Sequence, residues 1–259
     1  MSPILVVHGG GPHRDASALQ VEWSTSMMDG LALAGYPYRL PAPPTIVDLE
    51  TPRWEPDPDA PERDWTRSTL DEWWRNALFA DDRVRDETGA AFDARLAALG
   101  RSRFFTGLPP EDLLHALAVL RHLLTGSDVA RERVGAVANL IDGRTRVVVG
   151  LGVAAIAAAD ALCRAVAVPA SAPVTLITAG VPSGWDVPRP PPFRAWTNLV
   201  DPADGLTGGR GLRARCGDVV RDVPLDCDPR LHAVRPYVAT TEFGAALGTA
   251  LGTSPESSR

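Results

Sequence analysis

Lysine is missing from this chain altogether: all 26 basic residues are arginine. That absence excludes a Schiff base on a lysine amine and the lysine of a phosphate-binding P-loop. Arginine without lysine, alongside abundant alanine and proline, fits the codon usage of a GC-rich bacterial genome. Nor is there a basic excess. Acidic residues number 32 and the formal charge is -6, whereas a surface that neutralises phosphates needs basic residues in surplus or gathered on one face. Arg210, Arg213 and Arg215 read as a solvated loop. Cysteine is sparse: Cys163, Cys216 and Cys227 form no C-x-x-C pair and cannot all pair with one another, so no disulfide framework is expected and a reducing cytoplasm fits best. Long apolar runs are lacking too. The stretch from Val147 to Ala159 is too short for a bilayer and meets Asp160, and the first residues lack the basic region of a secretory signal. The expectation is a cytoplasmic protein that binds neither membrane nor nucleic acid.

What is present points to an α/β fold. With 259 residues, 45% of them apolar, the chain can bury one large core. A single domain is expected over residues 1–253, with 254–259 as a disordered tail. Short apolar runs at 4–8, 45–49, 147–151, 173–178, 195–200 and 219–225 read as strands. Helices are expected at 16–34, where Leu19, Trp23, Met27 and Leu31 share one face, and at 66–79, 90–99, 110–125, 128–141, 153–166 and 240–251. Residues 51–65, rich in proline and acid, read as an irregular excursion. The 51–110 region becomes a small helical or irregular cap. Strands alternating with helices imply a mostly parallel central sheet covered on both faces.

The chemistry is concentrated at three places. His8-Gly9-Gly10-Gly11 closes the first strand. Glycines there bring backbone N–H groups of Gly9, Gly10 and Gly11 close to a developing oxyanion, where preorganised donors matter most; the plainer reading is a glycine turn after a strand. The second place is Arg146-Val-Val-Val-Gly150-Leu151-Gly152-Val153-Ala154, a β-branched run that breaks at glycine and resumes as an alanine-rich helix. Such a corner carries the G-x-S-x-G nucleophile elbow, with its serine on a strained turn and the N–H of the next residue, here Val153, as an oxyanion donor. Gly152 stands where that serine would be, and Ala154 replaces the closing glycine. A positive φ suits glycine, so the change can keep the fold while removing the nucleophile. Gly150-Leu-Gly152-Val-Ala-Ala155 also matches G-x-G-x-x-A, but no acid follows at the end of the next strand. Dinucleotide binding is the lesser alternative, and no cofactor is assigned.

The third place is Trp196-Thr-Asn198-Leu-Val-Asp201-Pro-Ala-Asp204-Gly, followed downstream by His232. Oxyanion loop, elbow, acid and histidine occur in the chain order of an α/β-hydrolase triad, whose acid orients the imidazole. Asp201 and Asp204 both qualify as the acid. Read singly, Asp201 is a turn residue before Pro202 and His232 a surface histidine.

Taken together the motifs resemble those of bacterial α/β-hydrolase-fold proteins found beside conflict and signalling genes. The matching residues are Val7-His-Gly-Gly, Trp23 with Asp29-Gly-Leu and Ala34-Gly35, Leu176-Ile-Thr-Ala-Gly-Val-Pro182, Trp196-Thr-Asn198 through Asp204-Gly-Leu206, and His232-Ala-Val-Arg-Pro236-Tyr-Val with Glu242-Phe-Gly244. They span nearly the whole chain in order. The resemblance implies that Gly152 stands at the nucleophile, Leu151 at the histidine before it, Asp204 at the acid and His232 at the base. The departures gather at the elbow.

Other nucleophiles are weaker candidates. Cys163 reads as a buried small hydrophobe within its helix. Ser183 follows a strand at the carboxyl face where such sites form, and would need hydrogen-bond reach to His232. His13, His115 and His122 lack companions for a metal, and His115 and His122 read as a partly exposed helix face, so no metal is assigned. Trp23, Trp54, Trp65, Trp73 and Trp74 suggest a cap or a partner surface, or the ordinary packing of a lid. The expectation is a hydrolase-fold pseudoenzyme without its serine, binding a protein partner or a small-molecule ligand. The alternative is an active esterase-like or repurposed enzyme using Asp204 and His232 with Ser183 or water.

Overall fold

The structure, a computed structural model, describes residues 2–9, 15–49, 62–81, 84, 91–102, 109–165, 174–183, 185, 195–202, 204–225 and 234–255. Six strands form one all-parallel sheet: β1 (Ile4–His8), β2 (Thr45–Asp48), β3 (Val147–Leu151), β4 (Thr175–Ala179), β5 (Ala195–Val200) and β6 (Val220–Pro224), in the order β2-β1-β3-β4-β5-β6. Every residue of β3 and β4 is buried, as continuous Val, Leu, Ile and Thr runs covered on both faces require. The edge strands β2 and β6 are more open and more polar, and Pro224 closes β6 where no further ladder needs its missing N–H.

Register fixes what each face presents. Val6, Val149, Ile177, Thr197 and Arg221 form one row across the sheet. Val7, Gly150, Thr178, Asn198 and Asp222 form the next row and point the other way. The first face meets α9 (Thr241–Leu251), against which α1 (Ala16–Leu33) and the short α8 (Val234–Val238) pack; the second meets α6 (Ala154–Arg164), against which α5 (Asp128–Leu140) packs. Helix α1 starts where the Asp15 carboxylate accepts from the N–H groups of Ser17 and Ala18, and α9 where Thr240 accepts from Phe243 N–H at 3.2 Å. A Cβ at Gly244 would run into the backbone of Gly30 on α1, and one at Gly30 into Val238 O of α8 at 2.4 Å with Gly244 N at 3.5 Å, so α1 packs against α8 and α9 where these two glycines meet. Both glycines belong to the motifs of the resemblance, and their task is close packing.

Buried polar residues on the second face form a chain of hydrogen bonds across three strands. Trp196 Nε1 donates to Thr178 Oγ1 at 2.9 Å, Thr178 Oγ1 donates to Asn198 Oδ1 at 2.9 Å, and Asn198 Nδ2 donates to Asp222 Oδ1 at 2.8 Å. Asp222 in turn accepts from the N–H groups of Leu212 and Arg213, at 2.9 and 2.8 Å, at the start of the one-turn helix α7 (Arg213–Cys216). The Trp-x-Asn motif thus fastens the loop after β5 to the sheet, with every donor in the chain matched to an acceptor. Neither α7 nor α8 is anticipated from periodicity, because each is about one turn long.

The cap contains α2 (Glu62–Ala80), α3 (Phe92–Arg101) and α4 (Pro110–Thr125). Helix α2 begins at Glu62, so the expected irregular excursion is wrong over 62–65. Trp73 and Trp74 are buried, with the Arg95 guanidinium 4.9 Å from the ring centre of Trp74, and both join the same hydrophobic cluster as the sheet. They are packing residues of the cap, as the plainer expectation has it; Trp65 is half-buried against the same cluster, and Trp54 lies outside the described residues. Two further expectations are corrected. His115 is buried on the apolar face of α4 and not part of an exposed face. Cys163 is exposed, because the Ala-rich packed side of α6 points away from it. Among the described residues no helix is long and apolar enough to cross a membrane.

Candidate functional site

Strand order creates a crevice. From β1 the chain crosses outward through α1 to β2, while from β3 it crosses through α6 in the opposite direction to β4. The carboxyl ends of β1 and β3 therefore adjoin at a topological switch point, where open α/β sheets place their ligands. Gly9 follows β1 there. A Cβ at Gly9 would stand 3.2 Å from Leu49 Cβ, so this glycine permits the close approach of the chain leaving β2. Gly10, Gly11 and His13 lie outside the described residues.

The two glycines of the β3 corner do different work. A Cβ at Gly150 would be 2.6 Å from Ala155 Cα and 2.9 Å from Ala158 Cβ, so Gly150 lets α6 lie directly on the strand. Gly152 has φ 61°, and its N–H donates to Ala179 O at 2.8 Å, tying the corner to the end of β4. Nothing lies within 4 Å of where its Cβ would be. A side chain here would project into open space from a left-handed backbone, the combination a serine on a nucleophile elbow must tolerate. Helix α6 follows at once. Val153 is its N-cap without a side-chain cap, and Ala155 and Ile156 N–H close short bonds to Gly152 O and Val153 O at 3.1 and 3.2 Å. The N–H groups of Val153 and Ala154 precede that ladder, as first-turn donors do.

Asp204 lies in the loop after β5 and is fully buried. Its Oδ1 accepts from Leu206 N–H at 2.7 Å and its Oδ2 from the Tyr237 hydroxyl of α8. Burial pushes its carboxyl up to about 7, against the opposing pull of the Tyr237 and Leu206 hydrogen bonds, and the nearby Asp201 charge adds to the rise. Asp201 is itself buried, and its carbonyl accepts from Asp204 N–H at 3.0 Å. Gly180, at φ 60°, leaves room for the pair: a Cβ there would be 3.1 Å from Asp204 Oδ2 and 3.4 Å from the Tyr237 hydroxyl. His232 lies outside the described residues. Both carboxylate oxygens of the expected triad acid are thus engaged by Tyr237 and by backbone.

Ser183 is joined to the same loop. Its N–H donates to Leu206 O at 3.0 Å, while its Oγ donates to Glu72 Oε1 on α2 at 2.7 Å. Asn76, one turn further along α2, donates from Nδ2 to Gly205 O at 2.9 Å. Two side chains of the cap therefore pin it over the carboxyl ends of β4 and β5. A lone carboxylate is a weak general base toward a serine hydroxyl, so Glu72 orients the Ser183 hydroxyl more than it activates it. Cys163 offers no substitute nucleophile: partial desolvation and the Asp160 charge push its thiol up to about 11. Among the described residues no group of three or more His, Cys, Asp or Glu could hold a metal.

Gly9, Gly152, Val153, Ser183 and Asp204 each follow a strand at the carboxyl edge of the sheet: β1, β3, β3, β4 and β5 in turn. The sequence reading misses Glu72 and Asn76, whose contacts span 111 and 129 residues of chain and leave no local signal. Tyr237 lies in a quoted motif, yet nothing in the sequence reveals that its hydroxyl meets Asp204. No family model, curated protein or solved structure matches the chain.

Proposed function

We propose that this chain is an α/β-hydrolase-fold pseudoenzyme: a scaffold that keeps the nucleophile corner, has no serine on it, and serves as a binding or assembly component in a bacterial pathway. The observation that carries this reading is Gly152, at φ 61° on the strand-to-helix corner with nothing within 4 Å of its missing side chain. Three features support it. Gly9 at the end of the neighbouring strand lies where the second oxyanion donor of such a site would come from. Asp204 is bonded into the fold by Tyr237 and Leu206. The motif residues Gly30, Asn198, Trp196 and Gly244 have packing or hydrogen-bonding tasks that hold the scaffold without any chemistry.

One contact favours a second reading, hydrolysis by a displaced nucleophile: the Ser183 hydroxyl donates to Glu72 close to the Asp204 loop. Fluorophosphonate labelling and short-chain ester hydrolysis of wild type, Gly152→Ser, Ser183→Ala and His232→Ala separate the two. The pseudoenzyme is expected to be unlabelled and inactive while folded by circular dichroism. Wild-type labelling that disappears in Ser183→Ala, or turnover that requires His232, overturns it. Labelling gained by Gly152→Ser places the vacant nucleophile position at this corner.

A further inference from the structure

On the face of the sheet that carries α1 and α9, the helical cover among the described residues stops short of β6. Helix α9 rests over β3, β4 and β5, and α7, the described helix that packs on β6, does so from the opposite face through Asp222. What remains is an open groove of about 630 Å³ between α9 and the edge strand. Its walls are small and mostly apolar: Ala245, Ala246, Thr249 and Ala250 from α9, Thr197 and Val223 from the sheet. A parallel sheet is stable with both faces covered, and among the described residues nothing covers this strip.

The groove also carries two charges of opposite sign. Arg221 projects from β6 on this face, and Glu242 lies in the first turn of α9. Among the described residues neither makes an ion pair, whereas the third charge at the groove, Asp218, is held by Arg213 at 2.7 Å. None of these charged side chains is buried, which suits a protein surface better than an enclosed small-molecule pocket, where a few buried polar groups fix the ligand.

We propose that this groove is the self-association surface of the protein, occupied by the α9 face of a second copy. A twofold axis brings the same patch to both sides of an interface. A surface that bears one unpaired cation and one unpaired anion is complementary to itself under that operation, with Arg221 of each copy facing Glu242 of the other. The small side chains of α9 allow its backbone to approach the partner's groove closely, and the dimer completes the cover that each sheet lacks.

Light scattering on the eluting peak, run over a concentration series, tests this. Wild type is expected to be dimeric, and Ala245→Arg, at an exposed groove position, to be monomeric with an unchanged circular dichroism spectrum. Arg221→Glu and Glu242→Arg alone should each weaken self-association about tenfold, while the double variant Arg221→Glu/Glu242→Arg recovers it. A wild type that stays monomeric at its highest soluble concentration overturns the proposal. So does a dimer that survives Ala245→Arg, or a double variant no better than the single ones.

Discussion

The hydroxyl of Tyr237 on α8 donates a hydrogen bond to Oδ2 of Asp204, a buried carboxylate in the loop after β5. This one contact joins the segment leading into α9 to the loop that the Trp196-Asn198-Asp222 chain holds on the other face. It also opposes the burial that raises the Asp204 carboxyl to about 7. Removing the hydroxyl leaves a buried anion short of a donor, and a hydrogen bond to a charged group contributes more than one between neutral groups. Tyr237→Phe is therefore expected to lose about 1.5–3 kcal/mol at pH 8, where Asp204 is mostly ionised, and about 1 kcal/mol at pH 5. Urea unfolding at the two pH values measures both; equal losses would mean that the contact does not sense the charge.

The raised Asp204 carboxyl also sets a sign for stability against pH. The ordinary value of the group is 3.8 and the folded one about 7, so between them the folded state holds a proton that the unfolded chain has released. Its contribution is fully present below about pH 4 and is lost as pH rises through 7. Asp204→Asn removes this titration. The expected result is a smaller fall in melting temperature between pH 5 and 8 than wild type shows, whatever the absolute stability of the variant. An identical fall in both proteins would place the titration elsewhere.

The sheet was legible in the sequence because buried parallel strands announce themselves as unbroken apolar runs. Val147–Leu151 and Ile4–His8 needed no tertiary information. The corner at Gly152 was legible for a similar reason, since glycine between a β-branched run and an alanine-rich helix marks a local backbone change. Its open surroundings and the 61° angle come from how α6 and β4 meet it. The partners of the polar side chains could not be read. Asp204 to Tyr237 and Ser183 to Glu72 are set by which loops converge at the carboxyl edge, and nothing in local spacing records that convergence. Exposure of Cys163 and burial of His115 were misjudged because each depends on which side of a helix meets its neighbours.

The unequal glycines of the β3 corner give a paired test. Gly150→Ala forces a methyl against the backbone of α6 at 2.6 Å, and neither element can move without opening the core. A loss of about 3 kcal/mol is expected, at the upper end of overpacking costs. Gly152→Ala meets open space and pays only for the left-handed conformation, about 1–2 kcal/mol. Chemical denaturation of the two variants side by side checks the ranking; a reversed order would mean that the corner is not built as described.

A second pair of glycines separates packing from propensity. Gly135 lies within α5 with nothing within 4 Å of its missing Cβ, whereas Gly244 lies within α9 with the backbone of Gly30 where its Cβ would be. Intrinsic helix preference favours alanine at both by about 1 kcal/mol. Only Gly135→Ala can realise that gain, so it is expected to raise the unfolding free energy by about 0.5–1 kcal/mol. Gly244→Ala must push α1 and α9 apart along their whole contact, and a net loss of about 2–3 kcal/mol is expected after the propensity gain is included. If thermal melts showed Gly244→Ala to be neutral, the two helices would have to sit further apart than the crossing at Gly30 requires, and α9 would no longer be fixed beside the groove at β6.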